Sequence, residues 1–191
     1  LREVIEIYAK GMKRGGRLKL VQTGGSSGSI VPASLQDTPM DFESWRKAGA
    51  SLGSGALLIC DEHTCVVDLA KVLLQFFRFE CCAKCTPCRT GTRRLYEIVD
   101  SISTGHGTLE SLEELQTFGK DMELLSNCGL GQTASVAVRD ILKHFRDEVE
   151  EHILERKCRA GVCRFPVLSP FELGAPELAV PAALAEIEEA E

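Results

Sequence analysis

Three cysteines with two residues between successive thiols, Cys82, Cys85 and Cys88, are the residues best suited to chemistry in this chain of 191 residues. They lie in the stretch ECCAKCTPCRTG together with a fourth cysteine, Cys81. Thiols this dense could form disulfides, bind zinc, supply a nucleophile or hold an iron–sulfur cluster. Zinc sites usually combine two separated C-x2-C pairs, whereas successive two-residue gaps are typical of cubane iron–sulfur sites. The spacing therefore favours a [4Fe–4S] cluster.

A cubane cluster takes four thiolate ligands, so the three spaced cysteines need a remote partner. Cys128 is the best candidate, because the glycines that follow it in LSNCGLG let the backbone approach closely. Cys81 is expected to pack beside the site without ligating. Disulfides between such near neighbours would be strained, and no histidine lies close in sequence to support a catalytic thiol.

The residues after the cysteines suit an anionic cluster. Arg89, Arg93 and Arg94 follow directly and could compensate its negative charge. A helix starting near Thr90 would point the positive end of its dipole at the cluster. Pro87 fixes φ between two of the ligands.

A second metal site is predicted near the end of the chain, where His152, Cys158 and Cys163 form H-x5-C-x4-C. One imidazole and two thiols suit tetrahedral zinc better than an iron cluster. The fourth ligand would come from Cys60, Cys65, water or a partner subunit. The alternative is that His152 is a solvated residue at a helix end and both thiols are free. Cys60 and Cys65 themselves are interpreted as small buried hydrophobic residues.

The pattern of the chain predicts an α+β fold in four parts: a lead-in helix over 1–16, a small α+β module over 17–66, a helical region over 67–157 and a proline-rich tail over 158–191. Four helices with short links indicate a bundle. VVDLAKVLLQFFRFE is apolar on most faces and is expected to be buried, and a single helix is expected to run from QTASV to ERK.

Within the module, RLKLVQTGG and GALLICDE are strand candidates, and a short helix is expected around Glu43 to Ala48. The stretch GGSSGS could cradle a phosphate, because glycine-rich backbones bind anions. It lacks the Gly-Lys-Ser/Thr ending of such loops, which favours an ordinary tight turn.

Composition narrows the class of protein. The net charge is −6 and no run of Lys and Arg exceeds two residues, which argues against a nucleic-acid binder. No stretch of about 18 apolar residues could cross a membrane. The chain opens with a charged, amphipathic segment unlike a signal peptide, so its nine cysteines indicate metal binding in the cytoplasm more than disulfides.

E-x-C-x-x-C-T-P-C-R-x-G, with a cysteine some 40 positions downstream, resembles the iron–sulfur domain of the NADH-oxidising flavoprotein subunit. That subunit occurs in respiratory complex I, in NAD-dependent and electron-bifurcating [FeFe]-hydrogenases and in NAD-dependent formate dehydrogenases. The segment from GG-x-SG to GSGALLICDE resembles its β-grasp SLBB module. The resemblance implies that Cys82, Cys85, Cys88 and Cys128 bind one [4Fe–4S] cluster, and that an SLBB-like module precedes a four-helix iron–sulfur bundle and an extended tail.

The resemblance implies an electron-transfer subunit or fragment of an NAD-linked oxidoreductase. The family's glycine-rich flavin domain has no counterpart here, and the serine usual before the first ligand is Cys81. FMN and NAD(H) are therefore expected on a partner or a missing domain, and the chain is not expected to oxidise NADH alone. Expected partners are that flavin domain, a thioredoxin-like [2Fe–2S] subunit and a multi-cluster acceptor subunit. The alternative is a zinc-stapled docking module without redox function.

Overall fold

The computed structural model describes residues 1–166, and the rest of the predicted tail, 167–191, lies outside the described residues. Three short strands form an antiparallel sheet in the order β2-β1-β3: β1 Leu18–Thr23, β2 Ile30–Pro32 and β3 Leu57–Asp61. β1 and β3 confirm the two strand predictions. β2 was missed because it has only three residues and ends at Pro32, whose missing N–H restricts it to a sheet edge.

Buried side chains project from both faces of this sheet, because its residues alternate between two cores. Leu20, Ile30 and Cys60 join the core shared with the helices. Val21 and Val31 face the opposite way, into a smaller core around the fully buried Trp45. The sheet therefore separates the helical bundle from the first part of the chain.

Trp45 lies on helix α1, Phe42–Lys47, which confirms the short helix predicted there. Asp41 caps this helix by accepting a hydrogen bond from the Ser44 backbone N–H at 2.8 Å. The predicted lead-in helix is shorter and less regular than expected. Only a π-helical turn, Val4–Tyr8, and a 3-10 turn at 13–15 form, and the second turn ends within the glycine pair at 15–16.

Six α-helices make up the rest: α2 Val66–Glu80, α3 Thr86–Ser103, α4 Glu110–Leu125, α5 Gly129–Thr133, α6 Val136–His144 and α7 Arg146–Leu154. The mixed α+β class with a helical bundle is confirmed. The single last helix predicted from the sequence is wrong, because Phe145 leaves helical geometry at φ −137° and splits α6 from α7. Among the described residues no helix is long and apolar enough to cross a membrane.

Helix α2 is less buried than its sequence suggested. One side, including Leu74 and Phe77, lies in the core. The other side is open to solvent, with Val72 56% and Phe79 85% exposed. The apolar side chains of α2 therefore lie on two opposite sides of the helix. Within the described residues only one of these sides is packed against other parts of the protein.

Two buried carboxylates join the bundle to the sheet. Asp140 on α6 accepts a hydrogen bond from the Ile30 backbone N–H at 3.0 Å. Glu148 on α7 pairs with Lys19 of β1 at 2.6 Å and accepts the Val66 backbone N–H at 3.3 Å. Through Val66, Glu148 fixes the start of α2 and with it the position of the preceding residue, Cys65.

Candidate metal centres

The cysteine triple lies where α2 ends and α3 begins. Cys85 is the N-cap residue of α3, and Cys88 is buried in the first turn of that helix. α3 begins at Thr86, with Pro87 in its first turn, and so starts earlier than the sequence suggested. The helix dipole and its free N–H groups consequently point at the cysteine loop from a position next to Cys85.

The segment between α4 and α5 lies next to the cysteine triple at the start of α3. Cys128 is the N-cap residue of α5 and its side chain is exposed, as is that of Cys82. Gly131, one turn into α5, lies against α3. A Cβ at Gly131 would be 2.9 Å from Cys88 Cβ and 2.5 Å from Ser126 Oγ, closer than real atoms approach. Only glycine allows α5 to pack this tightly on the triple.

The pKa values of two of these thiols depend on their neighbours. Hydrogen bonding from the Asn127 backbone, and then from that of Cys88, lowers the pKa of the Cys85 thiol. Burial, followed by the contact with Cys81 and the charges of Cys85 and Cys128, raises the pKa of Cys88 to about 12. The Cys88 thiol therefore keeps its proton unless a cation compensates the charge of its neighbours.

These features fit an iron–sulfur cluster. The thiol ligands come from two segments, one at the start of α3 and one at the start of α5. Gly131 permits the close approach of these segments, and backbone N–H groups donate hydrogen bonds to the sulfur of Cys85. Cys82, Cys85, Cys88 and Cys128 are the four residues that would hold the cluster, and their ligand roles stay a prediction.

The arginines are placed differently from the expectation. Arg93 pairs with Glu97 at 2.8 Å, and Arg94 pairs with Glu114 at 2.6 Å. Arg89 hydrogen-bonds the cysteine loop directly, by donating from Nη1 to the Ala83 carbonyl at 2.8 Å, and Arg93 lines the same cavity as Cys81 and Ala83. Arg93 and Arg94 thus each have a carboxylate partner as well, and charge compensation by the three arginines stays a prediction.

A second group of metal-binding side chains lies at the other end of α2. One ligand atom each from Cys65, His152, Cys158 and Cys163 lies within 4.8 Å of the other three. Cys65 Sγ is 3.2 Å from His152 Nε2 and 3.7 Å from Cys163 Sγ. In a tetrahedral site with Zn–S bonds of about 2.3 Å, sulfur atoms are separated by about 3.8 Å. The spacing of the group thus suits a single tetrahedral ion.

The imidazole of His152 is fully buried and already oriented for this role. Its Nδ1 lies 2.7 Å from the backbone carbonyl oxygen of Glu148, so that Nδ1–H donates and Nε2 is left to face Cys65. Cys158 and Cys163 approach from a turn in which Gly161 has φ +69°. Four side chains from three segments meet at this point.

Ionisation in this group follows from its hydrogen bonds. The contact with Cys163, and after it that with His152, lowers the pKa of Cys65 to about 4. Burial by itself would lower the pKa of His152, but the hydrogen bonds with Cys65 and the Glu148 carbonyl outweigh it and raise the pKa to about 9. At neutral pH the group therefore pairs a Cys65 thiolate with a protonated His152. Zinc binds the thiolate directly and would displace the imidazolium proton from Nε2.

The sequence favoured Cys65 as a small buried hydrophobic residue and only secondarily as a ligand. Cys60 and Cys65 both lie in the buried core as predicted, and the thiol of Cys65 in addition faces the other three ligands. The solvated-helix-end alternative for His152 is wrong, because this side chain is fully buried. One feature of the sequence could have indicated a polar role for Cys65, namely its position just before α2, where side chains often cap the helix. In the structure Cys65 Sγ accepts a hydrogen bond from the Asp68 N–H at 3.5 Å.

Comparison with known proteins supports the first centre. Residues 68–152 match the family described as the NADH-ubiquinone oxidoreductase-F iron-sulfur binding region. The match contains all four cysteines of the first centre. It contains His152 of the second centre but not its three thiols.

The chain is 40% identical over 163 residues to the NADP-reducing hydrogenase subunit HndC of Solidesulfovibrio fructosivorans, covering 85% of this chain and 33% of that protein. It is 39% identical over 158 residues to an F-type subunit of NADH-quinone oxidoreductase from Rhizobium meliloti (strain 1021), covering 83% and 38% respectively. The chain thus spans about a third of the length of the curated relatives it matches.

The fold is similar to part of a solved structure, the NAD+-reducing [NiFe]-hydrogenase in the H2-reduced state. The TM-score is 0.66 at 34% sequence identity, and the match covers 72% of this chain and 24% of the hydrogenase chain. The similarity in sequence and fold extends beyond the cysteine motif to most of the described residues.

Proposed function

We propose that Cys82, Cys85, Cys88 and Cys128 hold one [4Fe–4S] cluster that relays electrons, because residues 68–152 match the iron–sulfur binding region of NADH-ubiquinone oxidoreductase-F. The family supports an iron–sulfur cofactor and an electron-transfer role. When bound, such a cluster accepts and releases one electron at a time.

The observation that carries this proposal is the close contact of α5 with the first turn of α3. Gly131 lets the segment after α4 approach Cys88, and the neighbouring Asn127 backbone donates to the Cys85 thiol. Four thiols are supplied, and the backbone N–H groups of Asn127 and Cys88 favour the thiolate of Cys85. The chain's residues thereby set the burial and hydrogen bonding that determine the reduction potential of a cluster.

The exposure of the ligands indicates how electrons enter and leave. Cys82 and Cys128 are exposed whereas Cys88 is buried, so one side of the centre faces the surface of the described chain. A reduced flavin on a partner or on another part of the protein would be the donor. An iron–sulfur subunit of an NAD-linked hydrogenase, formate dehydrogenase or complex I-like oxidoreductase would be the acceptor.

The relay is tested by mixing the anaerobically purified chain with dihydro-FMN and following visible absorbance. We expect partial bleaching of a broad visible absorption, with recovery on addition of an oxidised ferredoxin. A chain that contains the cluster but exchanges no electrons with either reagent would contradict the relay. A colourless chain containing zinc in place of iron would instead favour the docking-module alternative.

For the second centre we propose a structural zinc ion bound by Cys65, His152, Cys158 and Cys163. Four ligand atoms within 4.8 Å and an imidazole fixed by a backbone carbonyl support it. Zinc here would hold the segment after α7 against the start of α2.

Elemental analysis tests the zinc proposal. We expect about one zinc per chain, lost in Cys163→Ser while the iron content is unchanged. The matched control is Cys60→Ser, which alters a core cysteine outside the group and should leave zinc bound. Absence of zinc from protein never exposed to chelator would contradict the proposal.

A further inference from the structure

Cys81 is the one cysteine of the ECCAKC stretch to which the proposed cluster gives no role, and its thiol lies against that of a proposed ligand. Cys81 Sγ is 3.4 Å from Cys88 Sγ, within hydrogen-bonding distance for sulfur. Cys82, the next residue, has an exposed side chain, whereas that of Cys81 is half-buried. Consecutive residues therefore face different surroundings, and Cys81 faces Cys88.

The backbone around Cys81 holds this geometry. The Ala83 backbone N–H lies 3.4 Å from Cys81 Sγ and donates to it. The Ala83 carbonyl in turn accepts from Arg89 Nη1 at 2.8 Å, which ties the loop to α3. Cys81 is the C-cap residue of α2, a helix whose inner side is packed in the core. The position of the Cys81 thiol is thus fixed by α2 before it and by the hydrogen-bonded loop after it.

The direction of the hydrogen bond follows from the protonation of the two sulfurs. Between two thiols either atom can donate. A cysteine that ligates iron is a thiolate without a proton, so once Cys88 is a ligand only Cys81 can donate. Cys81 Sγ already accepts from Ala83, which leaves its S–H for Cys88.

We infer that Cys81 is a positioning residue that raises the reduction potential of the cluster by donating an S–H hydrogen bond to the Cys88 thiolate. The inference rests on the proposed ligand role of Cys88. Reduction adds negative charge to the cluster and its sulfurs, and a donor to a ligating sulfur stabilises that charge. The bond therefore favours the reduced state over the oxidised one.

Anaerobic redox titration followed by electron paramagnetic resonance tests this role in three variants. Cys81→Ala removes the donor and is expected to lower the midpoint potential. Cys81→Ser restores an O–H donor and is expected to return the potential at least to the wild-type value. Cys60→Ala, a cysteine of the sheet core, is the matched control and should leave the potential unchanged.

A second readout reports the proton itself. In D2O the reduced wild-type protein should show an exchangeable deuteron coupled to the cluster in pulsed resonance spectra. This coupling should be lost in Cys81→Ala and present in Cys81→Ser. A merely structural role of Cys81 would not produce that pattern.

Two results would overturn the inference. One is a wild-type potential and an unchanged deuteron coupling in Cys81→Ala with its cluster intact. The other is loss of the cluster in both Cys81→Ala and Cys81→Ser, which would make Cys81 a ligand and not a donor. Failure of the proposed ligand set is distinguishable, because it would appear as full cluster retention in Cys88→Ala.

Discussion

Ala83, between two of the proposed ligands, has a backbone conformation that alanine rarely adopts, with φ +59°. The left-handed region costs a residue with a Cβ about 1 kcal/mol, and glycine avoids that cost. Glycine also increases the conformational entropy of the unfolded chain, which offsets about half of this stabilisation. We expect Ala83→Gly to raise the free energy of unfolding by about 0.5 kcal/mol, measured by anaerobic denaturant titration.

The control for this substitution is Ala137→Gly, which changes a buried residue inside α6. It should lower the free energy of unfolding by about 1 kcal/mol, because glycine is unfavourable in a helix interior. If Ala83→Gly were as destabilising as Ala137→Gly, the backbone strain assigned to Ala83 would be wrong.

Residue types and local spacing predicted more of the first centre than of the second. Three cysteines within seven positions indicate a shared site on their own. Cys65 and His152 are 87 residues apart, and nothing in the local sequence of Cys65 shows that its thiol meets the imidazole. Spacing reveals ligands that one segment carries, while a ligand brought in by tertiary packing needs the fold.

At the scale of elements, the contact between α5 and α3 depends on Gly131. A methyl group there would collide with Ser126 and with Cys88, whose Cβ would be 2.9 Å away. We expect Gly131→Ala to lower the free energy of unfolding by about 1–3 kcal/mol, as overpacking does. The iron content per chain should fall as well, because Cys128 would be displaced from the triple.

Gly129 supplies a matched control in the same helix. A Cβ at Gly129 would meet no atom within 4 Å. Gly129→Ala should therefore leave the iron content unchanged and should be neutral or slightly stabilising, since alanine favours helix. Equal iron loss in both variants would show that the close approach at Gly131 is not the cause.

The sequence predicted which segments are helices more accurately than it predicted where those helices end. The stripe Leu95, Ile98, Val99 and Ile102 of α3 is buried as its helical spacing predicts. The break at Phe145 was not foreseen, because no glycine or proline marks it and the apolar spacing continues through Val149. The local residue types therefore do not indicate where α6 ends.

At the scale of the whole molecule, the pair between Lys19 and Glu148 joins the sheet to the bundle. The side chain of Glu148 is 1% exposed and that of Lys19 is 14% exposed. Removing one partner leaves a buried charge without compensation, which costs about 3 kcal/mol or more. We expect Lys19→Met to lower the free energy of unfolding by about this amount in urea titrations.

Lys47→Met is the comparison, because Lys47 pairs with Glu43 at 2.9 Å on an exposed helix surface. Such pairs contribute about 0.5 kcal/mol or less. If Lys19→Met were as mild as Lys47→Met, the pair with Glu148 would not connect the two parts energetically.

The sequence did not predict how the α+β module packs against the helical bundle. Composition and periodicity predicted a small α+β module and a helical bundle, and that class is confirmed. The contact of Ile30 with Asp140 spans 110 residues, and neither residue's neighbours in sequence indicate it. A buried aspartate in an apolar helix face was the available hint, since buried carboxylates need donors.

The proposed relay depends on Cys128 joining the cysteine triple in one cluster. Iron analysis combined with electron paramagnetic resonance of the dithionite-reduced protein, comparing wild type with Cys128→Ala, tests this most directly. The wild type should contain about four irons per chain and show the signal of a reduced cubane. Cys60→Ala should match the wild type.

In Cys128→Ala we expect the cubane signal to be lost and the iron content to fall well below that of the wild type. The three thiolates at the junction of α2 and α3 would leave one corner of the cube without its ligand. An unchanged cubane signal with about four irons per chain in Cys128→Ala would contradict this ligand set.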